Sequence, residues 1–238
     1  MTVTFVTALF IPKGPMFKSL DFYFANFEKL AGTGIPIILF LDPRLTAEGA
    51  DLLKRFPNIQ RCEYVNIDTS WVPYDVLLPS IRREEKDTAE YFCIQLSKLR
   101  LLRESAAFVS TTHLAWIDFG IYHIFKHPNI IDKCLKLVAS AEFPTNKIMA
   151  AGCWPAAAAY DVWNTICWRF CGGFLLGATG LFAAAAERQD SLVRGNLPGL
   201  TWEVNYWAMM EEYFINYKAN HDDSIVLNVS QFIVPQKN

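Results

Sequence analysis

Residues 3–10 (VTFVTALF) are apolar on both faces of an extended chain and rich in β-branched side chains. A strand of that kind cannot leave one face in water. It needs cover on both sides, and the usual cover is helices packed on a parallel sheet. The residues that follow agree. After a turn at Pro12, Gly14 and Pro15, the side chains of Leu20, Phe24, Phe27 and Ala31 recur at helical spacing, and Gly32 is expected to end that helix. Residues 35–41 read as a second buried strand stopped by Asp42-Pro43, residues 46–55 as a short helix, and residues 60–67 as a third strand. This β-α-β-α-β opening implies a parallel sheet with right-handed crossovers. Ligands of such sheets bind at the carboxyl ends of the strands, which here carry residues 7–10, Asp42 and Asp68.

Further along, residues 69–88 contain Pro73, Pro79 and a charged run at 82–87, and are expected to form an exposed, mobile segment that could cover a site. Residues 91–106 predict a helix with Phe92, Leu96, Leu99, Leu102 and Ala106 on its buried face, and Lys98 and Arg103 elsewhere. Residues 114–117 predict a fourth strand. In the second half the spacing predicts a strand over 169–176, helices over 179–194 and 202–217, and a closing strand over 224–229. There is no internal repeat or linker-like tract. The expectation is one α/β domain over 1–238, Rossmann-like, with a mainly parallel, mixed central sheet flanked by helices.

Composition narrows the function classes. With 52% hydrophobic and 14% aromatic residues, the chain is built to fold. Its 22 basic and 24 acidic residues show no long runs, so the electrostatic footprint of a nucleic-acid binder is missing. The six cysteines form no CxxC pair and no zinc-like spacing, which predicts reduced core thiols and a cytoplasmic location. No basic leader precedes the first strand, so no signal peptide is expected. The most apolar stretch, 172–186, is shorter than the roughly 20 residues that cross a bilayer, so it predicts a buried strand and helix and no transmembrane segment.

The strongest chemical signal is residues 115–120 (AWIDFG). A buried strand delivers the carboxylate of Asp118 to its carboxyl end, where it can hold a hard divalent cation against a diphosphate. Gly120 would let phosphate or sugar approach the backbone. The plainer alternative is that Asp118 only caps a helix. The DFG triplet also occurs in protein kinases, but a glycine-rich loop, a VAIK-like lysine and an HRD segment are all missing.

The opening TFVTALF (residues 4–10), the pair Ser97-Lys98 inside a helix, and WIDFGI (116–121) with Trp116 at its head resemble the WlaTC/HtrL group of glycosyltransferases, found with bacterial surface polysaccharides and in large viruses. The wider resemblance is to GT-A glycosyltransferases, whose DxD motif ends a strand and binds metal and nucleotide sugar. This chain departs from DxD, having one acid in Asp118-Phe119-Gly120.

The resemblance implies a second metal ligand late in the chain. His221, in Asn220-His221-Asp222-Asp223, is the candidate, and imidazole with carboxylate suits Mn2+ or Mg2+. His113, His123 and His127 flank the Asp118 strand at spacings that fit no ligand set. A surface turn is the plain explanation of His221. Inverting GT-A enzymes place an acidic base near the region of Glu203, with Asp161 and Asp190 as weaker alternatives. Thr201 would cap the helix that Glu203 opens, and a carboxylate in a first helical turn is equally explained by the helix dipole. Residues 169–174 (RFCGGF) resemble the glycine-containing strand beside the GT-A donor and acceptor pocket; Gly172 and Gly173 would permit close ligand approach, with Gly173 at the sugar, or would simply allow tight strand packing. Lys98 or Arg169 would neutralise diphosphate, unless each is only a surface or packing charge.

The resulting expectation is a metal-dependent glycosyltransferase moving a sugar from a nucleoside diphosphate donor (UDP or GDP type) to a glycan acceptor. Thr7, Ala8 and Phe10 would border the nucleoside in a donor half of about 1–125, with the acceptor half at about 126–238. Two alternatives stand beside it. One is a sugar-phosphate nucleotidyltransferase, although residues 11–15 (IPKGP) match its basic glycine-rich loop poorly. The other is a protein that binds nucleotide or glycan without turnover.

Overall fold

The apolar run at the start of the chain becomes β1 (Val3–Leu9), an interior strand paired in parallel with β2 (Ile37–Leu41) on one side and β4 (His113–Ile117) on the other. A computed structural model describes residues 1–14, 16–155 and 161–235; Pro15 of the expected first turn lies outside the described residues. The remaining strands are β3 (Ile59–Tyr64), β5 (Ile148–Gly152), β6 (Phe174–Ala178) and β7 (Phe214–Lys218). They complete a seven-stranded sheet of order β3-β2-β1-β4-β6-β5-β7. Among the described residues β6 alone is reversed, pairing antiparallel with β4 and β5, so the sheet is mixed and mainly parallel.

Helices cover both faces. Alternate strand residues point to opposite sides: Phe5, Ala115 and Ile117 pack with Phe27 and Leu30 of α1 (Leu20–Gly32) and with Ile131 and Leu135 of α4 (Pro128–Ser140). Val6, Leu114 and Trp116 pack on the other side, with Leu99 of α3 (Ala89–Ser105), Phe182 of α5 (Leu181–Gly195) and Trp207 of α6 (Glu203–Met209). The chain is a single α/β domain in three layers. No helix among the described residues is long and apolar enough to cross a membrane.

The opening follows the sequence closely, with α2 at Thr46–Arg55 as expected. Gly32 is the last residue of α1, but the left-handed position that only glycine takes easily is two residues on, at Gly34 (φ 79°).

The second half departs from expectation. The strand expected over 169–176 begins at Phe174, because Cys171 N–H donates to Ala151 O (2.7 Å) and the preceding residues turn across the end of β5. The helix expected over 202–217 stops at Met209, and Phe214–Lys218 joins β5 as an edge strand, where sheet pairing overrides helical spacing. The strand expected over 224–229 is instead the short helix α7 (Ser224–Leu227), whose start is turned by Asp222 accepting from Ser224 N–H and Oγ. Residues 69–88 form no regular element but are tied down. Leu77 N–H donates to Pro198 O (2.7 Å), Leu200 N–H donates to Leu77 O (2.9 Å), and Ser80 Oγ donates to Asn164 Oδ1 (2.9 Å).

Candidate active site

β4 is buried along its whole length and delivers Asp118 to the carboxyl edge of the sheet. Because β6 runs against β4 with Phe174 opposite Ile117, the residues before β6 arrive at the same place, and Asp118 N–H donates to Gly173 O (3.0 Å). A cavity of about 450 Å³ opens there. The end of β1 contributes Ala8 and Phe10, α3 contributes Lys98, and the turn after β4 contributes Asp118 and Gly120. Trp202 and Glu203 enter from the start of α6, and His221 from the loop after β7.

A buried ammonium organises the floor. Lys98 Nζ lies 3.0 Å from Glu203 Oε1 and 3.2 Å from Asp118 Oδ1, and donates to Gly172 O (2.9 Å). The Lys98 side chain is only 5% exposed, so removing one of these partners would leave charge in a poorly solvated place. Burial pulls its pKa down, but the carboxylates of Asp118 and Glu203 outweigh burial and the net direction is up. The indole of Trp116 lies beneath this ammonium (5.7 Å to the ring centroid) and donates from Nε1 to Asp118 Oδ1 (2.7 Å). One oxygen of Asp118 is therefore held twice, while Oδ2 has no hydrogen bond among the described residues. With two carboxylates and one ammonium, the cluster carries a net charge of −1 and favours a further cation.

Of the two glycines that the sequence offers here, Gly172 is the more crowded. A Cβ on Gly172 would stand 2.2 Å from Glu203 Oε1 and 3.0 Å from Lys98 Nζ, whereas one on Gly173 would meet Ile121 Cδ1 at an ordinary 3.4 Å. At Gly120 a Cβ would press on the Tyr23 ring at 3.0 Å. Burial raises the Tyr23 and Tyr91 phenols, and the carboxylates of the site add to it: Asp118 for Tyr23, Glu203 and Asp118 for Tyr91.

His221 stands exposed at the cavity mouth. Partial desolvation still lowers its pKa; the charge of Asp118 opposes that shift, and His123 and Lys86 add to it. Its loop is fastened to the turn beyond Asp118: Asp223 accepts from Lys126 N–H (2.7 Å) and pairs with His127 Nδ1 (2.6 Å). Among the described residues no group of three or more His, Cys, Asp or Glu gathers as a metal shell. A carboxylate oxygen without a partner and an imidazole on one cavity still fit a divalent ion, provided ligand or water supplies the other donors.

Several expected residues lie elsewhere. Thr7 is fully buried in the sheet, and its hydroxyl has no hydrogen-bond partner among the described residues. Arg169 turns away to Glu211 (2.8 Å from Nε) and Trp154 O. Thr201 does not cap α6; its Oγ1 donates to Val162 O (2.7 Å), and Trp202 stands at the cap. Asp161 closes its own turn with Trp163 and Asn164, and Asp190 pairs with Arg100. Asp42 is taken up by Arg44 and Ile11 N–H, and Asp68 by Ser70. The sequence reading also missed Lys86, Tyr91 and Trp168, all of which line the cavity. Lys86 sits in what reads as a solvated charge run, and only the fold shows where that run lies.

No family model matches the chain, so membership of the WlaTC/HtrL group is not supported, and no curated protein matches its sequence. Among solved structures it is similar to mouse xyloside xylosyltransferase 1 (9% identity, TM-score 0.45), the match covering 91% of this chain and 84% of that one. It is similar to a CMP:2-keto-3-deoxy-manno-octonic acid synthetase (7% identity, TM-score 0.46; 92% of this chain and 90% of that one). It also resembles the bifunctional IspDF of Campylobacter jejuni (7% identity, TM-score 0.42), covering 92% of itself but 50% of that chain.

Proposed function

We propose that the chain is a metal-dependent glycosyltransferase of GT-A type that takes a nucleoside diphosphate sugar (UDP or GDP type) and transfers the sugar to a glycan acceptor. The observation that carries this reading is the unpartnered Oδ2 of Asp118 at the floor of a cavity of about 450 Å³, beside a cluster of net negative charge. That volume suits a nucleotide-sized ligand. The cavity lies at the carboxyl edge, where ligands of parallel sheets bind. Ala8 and Phe10 would border the nucleoside, with Gly120 and Gly173 leaving room for the sugar. The donor half, about 1–125, would meet the acceptor half, about 126–238, at this cavity.

Asp118 and His221 would hold Mn2+ or Mg2+, which when bound neutralises charge on the departing diphosphate. Lys98 and Trp116 fix Asp118 Oδ1, so that the other oxygen is left for the ion. Glu203 would take the proton of the acceptor hydroxyl, and the exposed Trp168 offers a ring for the acceptor sugar.

A second reading, binding without turnover, is favoured by one feature: Glu203 is 8% exposed and already paired with Lys98. Turnover of sugar nucleotide separates the two readings. The first test is a thermal-shift series with UDP- and GDP-sugars, with and without Mn2+. A ligand at a hundred times its Kd stabilises the native state by about 2.7 kcal/mol. Asp118→Asn should abolish the metal-dependent part and leave the fold intact; an unchanged Mn2+ response would overturn the metal site.

A further inference from the structure

Among the described residues two ammonium groups line the cavity, and one of them is free to meet a ligand. Lys98 has three N–H donors and three partners: Glu203 Oε1, Asp118 Oδ1 and Gly172 O. It cannot take a phosphate without giving one of them up. Lys86 differs. Its Nζ lies over the ring of Tyr91 (4.8 Å to the centroid) and near that of Phe17 (5.7 Å), and among the described residues it has no ion pair. Ring faces attract a cation without neutralising its charge or using its donors.

The position of Lys86 is as informative as its freedom. It lines the cavity from the strapped segment 69–88. Tyr91 belongs to α3 and Phe17 to the segment after β1, so the two rings hold the ammonium between separate parts of the fold. Thr88, which also lines the cavity, caps α3 by accepting from Tyr91 N–H (3.2 Å), so the positive end of that helix lies close by. The segment is not uniformly basic. Glu85 also lines the mouth, and the buried Asp87 accepts from Arg83 N–H (3.1 Å). Placement, not net charge, distinguishes Lys86.

The geometry points to Lys86 as the group that holds the ligand's diphosphate, in the cavity that Asp118 and His221 also line. This rests on the nucleoside diphosphate reading above and replaces Lys98 and Arg169 in that role. A charged hydrogen bond of this kind is worth about tenfold or more in affinity.

The test is calorimetric titration of the whole protein, with Mn2+, using UDP against uridine and GDP against guanosine. Lys86→Met should weaken the diphosphate by about tenfold or more and leave the nucleoside within about twofold, and Lys86→Arg should recover part of the loss. If the parent prefers the diphosphate and Lys86→Met keeps that preference, the diphosphate is held elsewhere and this inference falls while the proposed function stands. If Lys86→Met weakens nucleoside and diphosphate alike, Lys86 only shapes the segment, and the inference falls again. A parent with no preference for diphosphate over nucleoside overturns both.

Discussion

Glu203 Oε1 lies 3.0 Å from the Lys98 ammonium, joining the first residue of α6 to the middle of α3 across 105 residues of sequence. The contact is nearly dry, since the two side chains are 5% and 8% exposed. Removing the cation would leave Glu203 buried beside the partly exposed Asp118 with no counter-charge. Lys98→Met is therefore expected to cost about 3 kcal/mol in urea unfolding. Lys98→Met combined with Glu203→Gln should recover part of it, because no buried charge is then stranded. A single variant within about 0.5 kcal/mol of the parent would mean that the pair is not what holds α6 on α3.

The glycines give a contrast that the same unfolding measurement can read. Gly172→Ala would put a methyl 2.2 Å from Glu203 Oε1, and the carboxylate cannot move aside without leaving Lys98. Gly173→Ala meets Ile121 Cδ1 at 3.4 Å and Asp118 Oδ2 at 3.7 Å, both ordinary contacts. The expectation is a loss of about 1–3 kcal/mol for the first, as in overpacked cores, and less than about 0.5 kcal/mol for the second. Equal effects would show that the crowding at Gly172 is relieved by other means.

What could be read in the sequence was whatever has a short period. The two-faced apolar run of β1 and the helical recurrence of Phe24, Phe27 and Ala31 decided the parallel opening, and AWIDFG placed Asp118 at the end of its strand. The edge strand β7 and the turn of α7 were not readable, because FINYK and SIVLNV carry β-branched and helical spacing at once. Sheet pairing with β5 settles the first, and the turn in which Asp222 accepts from Ser224 settles the second. Partners distant in sequence leave no local mark. Lys98 lies off the apolar face of a helix that also carries Arg100 and Arg103, so it looks like a solvated charge, and nothing nearby announces Glu203. Thr7 erred the other way: it occupies a strand end, but the strand's alternation turns its side chain into the core.

The loop carrying His221 is held by a residue that does not line the cavity. Asp223 accepts from Lys126 N–H and His127 Nδ1 and so ties that loop to the chain beyond Asp118. Burial would raise the Asp223 pKa, but its hydrogen bonds from His127 and Lys126 win and the direction is down. Its stabilising contribution is thus present above about pH 4, the ordinary carboxylate value, and is lost as pH falls through the lowered one. Asp223→Ala should weaken Mn2+ binding about tenfold by letting His221 wander, and should flatten the acid limb of stability against pH. Unchanged Mn2+ affinity in a titration would show that the loop needs no such tie, or that His221 does not bind the ion.

Glu203 now has three explanations to separate: a base for the acceptor hydroxyl, a partner for the helix dipole, and the counter-charge of Lys98. Glu203→Gln distinguishes them because the amide oxygen can still accept from Lys98 Nζ but cannot take a proton at neutral pH. If Glu203 is the base, turnover should fall by roughly 10²–10⁴-fold while donor affinity stays near the parent's, and the acid limb of the rate profile should go with it. If it serves only Lys98, stability should fall, turnover should stay within a few-fold, and the pH profile should keep its shape. The dipole alone would leave both nearly untouched, since a single exposed-type charge at a helix start is worth about 0.3–1 kcal/mol. A product with the donor's anomeric configuration retained, read from its anomeric proton by NMR, would remove the need for a base on that face and return Glu203 to its ion pair.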